Sequence, residues 1–237
     1  MHNSLALPTA ITPAGRKQAF QPAIREHHSL LAGLEKRALV WIAHRLPQRI
    51  NSDHLTLLGF LALFFAGCSY AMARWNPYFV LIATFFLAVN WFGDSLDGTV
   101  ARVRNKQRPR YGFYVDHVTD ALGALFLMGG LALSGFVHPA VAISMLLAFF
   151  LLSIEVFLAT YTLASFHLSF WGFGPTEIRI LLAIGNVALL VHPFAHIAGR
   201  TLLLFDVGGI IAAVGMFLMF LISALAHTRR LFREEPL

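Results

Sequence analysis

Four aspartates, Asp94, Asp97, Asp116 and Asp120, fall inside or at the edge of strongly apolar segments. The chain reads Asp94-Ser-Leu-Asp97-Gly98-Thr-Val-Ala101-Arg102, then nine residues, then Gly112-Phe-Tyr-Val-Asp116-His-Val-Thr-Asp120. Carboxylates are costly at membrane depth, so four together point to a functional site. Residues three or four apart share a helix face. Asp94 therefore pairs with Asp97, and Asp116 with Asp120. Two such helices face to face make a four-carboxylate cup. Without counter-charge it would repel itself strongly in a low dielectric. All-oxygen ligands suit hard divalent cations such as Mg²⁺ or Mn²⁺. The alternative is a structural salt-bridge network. The nearby basic residues are mostly loop residues, too few and too peripheral for that, and desolvation opposes it.

The elements that must position these residues are apolar helices. Of 237 residues, 57% are hydrophobic and 13% charged, and mean hydropathy is +0.68. Such values exclude an ordinary soluble domain. A spanning helix needs ~20 mostly apolar residues. The sequence predicts an all-α membrane bundle of six such helices: Leu55–Ala73, Pro77–Ala101, Phe113–Phe136, Pro139–Leu163, Thr176–His192 and Phe205–Ala226. The fifth is the shortest. The first fifty residues hold no long apolar run and no signal-peptide pattern. Cys68 lies in the first span and reads as core filling.

The organisation expected is a flexible tail over 1–28, an amphipathic juxtamembrane helix over 29–50, the six-helix domain over 51–228 and a tail over 229–237. In the second segment Leu31, Leu34, Ala38, Trp41, Ile42 and Leu46 recur at helical spacing, with Glu35, Lys36 and Arg37 between them. That pattern fits a helix lying on the membrane surface or a plain juxtamembrane cap.

The net charge of +6 follows the membrane and is no nucleic-acid signature. Sixteen Lys and Arg fall before the first span, between the second and third, near the start of the fifth and after the last. Arg74 and Arg200 fall on the other side. The positive-inside rule then puts both termini and the acid cluster at the cytoplasmic face. The absence of a targeting segment and the minimal architecture suggest a prokaryotic inner membrane. Trp41, Trp75, Trp91 and Trp171 read as interfacial belt residues.

Residues beside the acids suit a phosphate ligand. Gly98 and Ala101 leave the helix surface bare, so a bulky group can approach. Thr99 offers a hydroxyl, and Arg102 a planar, permanently charged donor. Gly112 shares a stripe with Asp116 and Asp120 and permits close approach. Asn90, one turn before Asp94, fits either a supporting role at the cup or an interhelical hydrogen bond. Glu155 lies within the fourth span and, as an intramembrane acid, fits a site role or a polar partner in the bundle. Arg179, near the start of the fifth span, fits a phosphate contact or an interfacial anchor. Arg108 and Arg110 serve topology first and attraction of an anionic substrate second. His117 points about 100° from Asp116 and is not a candidate ligand.

The pattern Asp-x-x-Asp-Gly-x-x-Ala-Arg, nine residues, Gly-x-x-x-Asp-x-x-x-Asp resembles the signature of the CDP-alcohol phosphotransferase (CDP-alcohol phosphatidyltransferase) family at all eight fixed positions. It covers Asp94–Asp120, about a ninth of the chain. The six-span layout and the segment from Asn51 to Gly59 are similar as well. The resemblance implies a metal-dependent transferase of phospholipid biosynthesis. Asp94, Asp97, Asp116 and Asp120 would hold one or two Mg²⁺ or Mn²⁺ ions. Asp120 would be the general base that deprotonates an acceptor hydroxyl. Gly98, Thr99, Ala101, Arg102 and Gly112 would contact the CDP moiety. Arg179, Glu155 and Arg110 remain candidates for acceptor or lipid phosphate contacts.

The expected partners are a CDP-linked lipid donor, a polar alcohol acceptor and membrane lipids. The compact chain favours CDP-diacylglycerol as donor, with CMP released. CDP-choline or CDP-ethanolamine acting on diacylglycerol is the alternative. Homodimers are common in the family, and Gly129 and Gly130 in the third span permit close helix packing. Intramembrane prenyltransferases also pair aspartates, but place their motifs far apart and use more spans. A divalent-cation transporter would want acids near mid-membrane on broken helices, and inverted repeats. No repeat is visible here.

Overall fold

The computed structural model describes residues 24–26, 32–163, 165–167, 175–197 and 199–235. In chain order the elements are β1 (Ile24–Glu26), α1 (Ala32–Arg45), α2 (Ser52–Met72), α3 (Phe79–Val103), α4 (Pro109–Leu133), α5 (Pro139–Leu163), β2 (Ser165–His167), α6 (Pro175–Val191), β3 (Phe194–Ile197), β4 (Arg200–Leu203) and α7 (Leu204–Glu234). The predicted tail, 1–28, lies outside the described residues except for β1, which pairs in parallel with β2. Leu31 and Trp171 lie outside them too.

Five helices, α2, α3, α4, α5 and α7, are long and apolar enough to cross a membrane. The expected fifth span forms as α6, at 17 residues shorter than the other long helices. Pro193 follows two residues after its end. The chain then turns back through an antiparallel hairpin, β3–β4, with Gly199 at φ 76° in its turn. That φ is readily open to glycine. Neither strand pair was expected from the helical periodicity. The last helix runs on to Glu234, so Arg229, Arg230 and Arg233 continue it rather than lying in a tail.

The boundaries of the site-bearing helices have local causes. Asn51 and His54 form a reciprocal cap at the start of α2: the His54 amide donates to Asn51 Oδ1 at 3.2 Å, and the Asn51 amide to His54 Nδ1 at 3.3 Å. Pro109 opens α4, where its missing N–H costs nothing. Between α3 and α4, Asn105 takes a left-handed conformation, φ 53°, which asparagine tolerates better than most side chains.

The core is centred on α2, α3 and α4. Ala66, Tyr70, Val80 and Ala83 are almost fully enclosed there, with Leu127 and Leu131 from α4. A second cluster joins α1 to the carboxylate-bearing end of α3: Leu39 and Ala43 pack with Leu55, Leu96 and Val100. The inner stripe of α1 therefore runs through Leu39, Ile42, Ala43 and Leu46. Ala38 and Trp41 face outward instead, and the Arg45 guanidinium lies 3.8 Å over the Trp41 ring. The sequence pattern was rotated because Leu and Ala occur on both faces of this helix.

Candidate active site

Two glycine crossings fix the helices that carry the aspartates. A Cβ at Gly93 would stand 2.6 Å from the Leu55 carbonyl oxygen and 2.7 Å from the Gly59 nitrogen, so α3 lies backbone to backbone on α2. Asn90 Nδ2 donates to the Gly59 carbonyl at 3.0 Å and reinforces that contact. Further along, Gly67 of α2 and Gly130 of α4 meet the same way. Gly129 faces open space.

This crossing sets the cup. Asp94 from α3 and Asp116 and Asp120 from α4 each offer a carboxylate oxygen, all within 4.8 Å of one another. Asp97 lines the same recess, as do Thr56, Asn90 and Thr119. Thr56 Oγ1 donates to Asp97 Oδ2 at 2.7 Å. The recess has room for about one water-sized sphere, ≈ 10 Å³. Arg179 enters from α6, its Nη2 donating to Asp94 Oδ2 at 2.6 Å. Arg179, a candidate from the sequence, thus brings a basic group to the cup from outside the loop.

The donor set fits a divalent cation. Every polar atom offered by the four aspartates is a hard oxygen. Among the described residues, Asn90 Oδ1 is the buried side-chain atom without a hydrogen-bond partner. Its orientation follows from the Nδ2 bond to Gly59, since a flipped amide would set two oxygens against each other. A buried acceptor left unmatched costs ~1–3 kcal/mol. A cation, or a water bound to one, would satisfy it. Of the two readings of Asn90 in the sequence, the interhelical hydrogen bond is the one observed, to Gly59 of α2.

The remaining predicted residues fall in three places. Gly98, Thr99, Ala101 and Arg102 occupy the last turns of α3, beyond the aspartates. Thr99 is buried, donates to the Ser95 carbonyl at 2.9 Å and accepts from Arg102 Nη2 at 3.0 Å. Its hydroxyl thus steadies the arginine. Gly112 and Arg110 lie exposed in the first turn of α4, with open space over Gly112. Glu155 does not line the cup. It is buried between α5 and α7, where its Oε1 lies 2.5 Å from His227 Nδ1. His117 packs against Phe113, tilted, and edge-to-face against Phe157, with ring centroids 4.1 and 4.7 Å away, as expected of a residue turned from the acids.

Several site-shaping residues were not singled out by sequence reasoning. Thr56 lay inside the quoted segment at the start of the first span, without an assigned role. Glu35 read as surface charge, yet accepts from Trp91, Ser95 and Thr176. Asn186 and His227 are polar residues in apolar helices, which was the available signal.

A family model described as CDP-alcohol phosphatidyltransferase matches residues 50–225. The chain is also 33% identical over 104 residues to the archaetidylinositol phosphate synthase of Pyrococcus horikoshii, a match covering 44% of this chain and 52% of that protein. The chain thus spans about half the length of that curated relative. No solved structure matches it. The family match takes in α2 through most of α7 and all four aspartates, so the chain belongs to the CDP-alcohol phosphatidyltransferase family, whose members are transferases of substituted phosphate groups.

Proposed function

We propose that this protein moves a phosphatidyl-type group from a CDP-linked lipid, CDP-diacylglycerol in the simplest case, to the hydroxyl of a polar alcohol, releasing CMP. The observation that carries this reading is the meeting of Asp94, Asp116 and Asp120 within 4.8 Å on two helices locked by glycine. One or two Mg²⁺ or Mn²⁺ ions, held by Asp94, Asp97, Asp116 and Asp120, would supply charge neutralisation to the diphosphate. Asp120 acts as general base and takes the proton of the acceptor hydroxyl. The alkoxide oxygen forms a new bond to the phosphorus distal to cytidine. The bond from that phosphorus to the bridging oxygen breaks, and the electron pair leaves with CMP. Gly112, with open space over it, and Ala101 give the CDP moiety an approach, and Arg102, steadied by Thr99 and lying over Gly98, offers its guanidinium to the phosphates.

The site lies at the end of the bundle where α1 packs and where most of the basic residues gather. The positive-inside rule makes that face cytoplasmic, in a prokaryotic inner membrane. In this reading α6 completes a sixth crossing together with the β3–β4 hairpin, and α1 lies along the lipid surface. Dimerisation belongs to the same set of expectations, with open space over Gly129 on α4.

The relative's name brings a phosphorylated inositol into consideration as acceptor. Arg179, engaged with Asp94, is an additional arginine at the cup for such a phosphate. The test supplies purified protein with CDP-diacylglycerol and one alcohol at a time: glycerol phosphate, serine, inositol, inositol phosphate. A single acceptor should yield CMP and a new phospholipid by mass spectrometry. No product with any of them, but product from CDP-choline or CDP-ethanolamine with diacylglycerol, would reverse the direction of the chemistry.

A further inference from the structure

Beside the cup, a polar junction is built on Glu35. This α1 carboxylate accepts from Trp91 Nε1 at 2.8 Å and Ser95 Oγ at 3.3 Å on α3, and from Thr176 Oγ1 at 3.0 Å on α6. Trp91 and Ser95 are one turn apart and bracket Asp94. Thr176 lies one turn before Arg179, which reaches Asp94 at 2.6 Å. A single acid thus ties together three helices around the Arg179–Asp94 pair.

The other end of α6 is held separately. Asn186, fully enclosed, accepts from Tyr70 at 2.9 Å and donates to Thr84 at 2.8 Å. Arg179 lies between these two pins. Much of α6 otherwise presents exposed apolar side chains, such as Leu181, Ile184 and Val187. Its first turn therefore depends strongly on Glu35 for its place.

We propose that Glu35 is a positioning residue: by holding the first turn of α6 against α3 it sets Arg179 on Asp94, and so sets how strongly the cup draws a divalent cation. The inference rests on the reading of the cup as a cation site. Arg179 and a cation compete for Asp94. Loosening Arg179 therefore tightens cation binding, whereas general damage to the fold weakens it. The direction of change separates positioning from mere support.

Replacing Glu35 itself would also remove a negative charge, so the test uses charge-neutral changes in its partners. The full chain in detergent is titrated with Mn²⁺ alone. Arg179→Gln should bind Mn²⁺ on the order of tenfold more tightly, since it removes a nearby positive charge. Thr176→Val should bind about threefold more tightly, with no further gain when added to Arg179→Gln. Trp91→Phe should shift affinity the same way, and carries the test if Thr176→Val does not fold. Unchanged or weaker binding in these variants, or an equal shift without Arg179, overturns the proposal. If the parent and Arg179→Gln both bind no Mn²⁺, the cation reading fails instead. Metal-free thermal melts then decide the positioning: the Thr176→Val penalty should shrink in the Arg179→Gln background, and strictly additive penalties overturn it.

Discussion

The α2–α3–α4 half of the molecule and the α5–α7 half are built on different rules. In the first, backbones touch at Gly59–Gly93 and Gly67–Gly130, and buried residues recur along α2 and α3 and through the second half of α4. In the second, α5 buries small residues and Glu155, α6 buries Asn186 and Leu189, and α7 buries Gly209 alone among its residues, with Ile211 and Ile222 more than half exposed. Those side chains suit acyl chains. All four aspartates belong to the tight half. The loose half approaches them through isolated polar contacts, Arg179 on α6 being the one at the cup. Chemistry that needs several carboxylates within a few ångströms requires helices that cannot slide, and close glycine packing supplies that where lipid gives helices no hydrophobic reason to associate.

The comparison can be broken from its strong side first. Gly93→Leu should prevent accumulation of folded protein, because even a Cβ meets backbone there. Gly129→Leu, over open space, should accumulate normally. Size-exclusion profiles in detergent read both, and a well-behaved Gly93→Leu would undo the claim of backbone contact. Next comes Asn186→Leu, which strands the Tyr70 hydroxyl and should cost ~1–3 kcal/mol in thermal or denaturant stability. Glu155→Gln, in the loose half and off the cup, should cost about 1 kcal/mol and leave turnover within roughly threefold. Loss of turnover with an unchanged melt would place Glu155 in the acceptor pocket after all. Smallest is Arg230→Ala at the exposed Arg230–Glu234 pair, 2.8 Å apart, expected to change stability by no more than ~0.5 kcal/mol. A larger loss there would mean that the end of α7 is held by more than this pair.

Much of the tight half was legible in the sequence. Aspartate spacing at three and four residues identified two facing helices, and the structure brings Asp94, Asp116 and Asp120 together as that spacing requires. Asn90, one turn from Asp94, was visible for the same reason. The loose half was less legible. Apolar length suggested a full fifth span, but periodicity could not show that Pro193 and Gly199 would turn the chain into a hairpin after 17 helical residues. Glu35 was hidden among Lys36 and Arg37, because local charge says nothing about which face a neighbouring helix will cover. His227 had no partner within its own helix to announce the contact with Glu155, which depends on how α5 and α7 pack.

The central claim is that the carboxylates at the glycine crossing carry out metal-dependent transfer with Asp120 as base. The most direct measurement is CMP release from CDP-diacylglycerol and the accepted alcohol, by the parent protein and Asp120→Asn, with Mn²⁺ and with chelator. The account predicts release that stops on chelation and falls ~10²–10⁴-fold in Asp120→Asn, while that variant melts as a folded protein. Release that persists without metal, or near-parental turnover in Asp120→Asn, would contradict it.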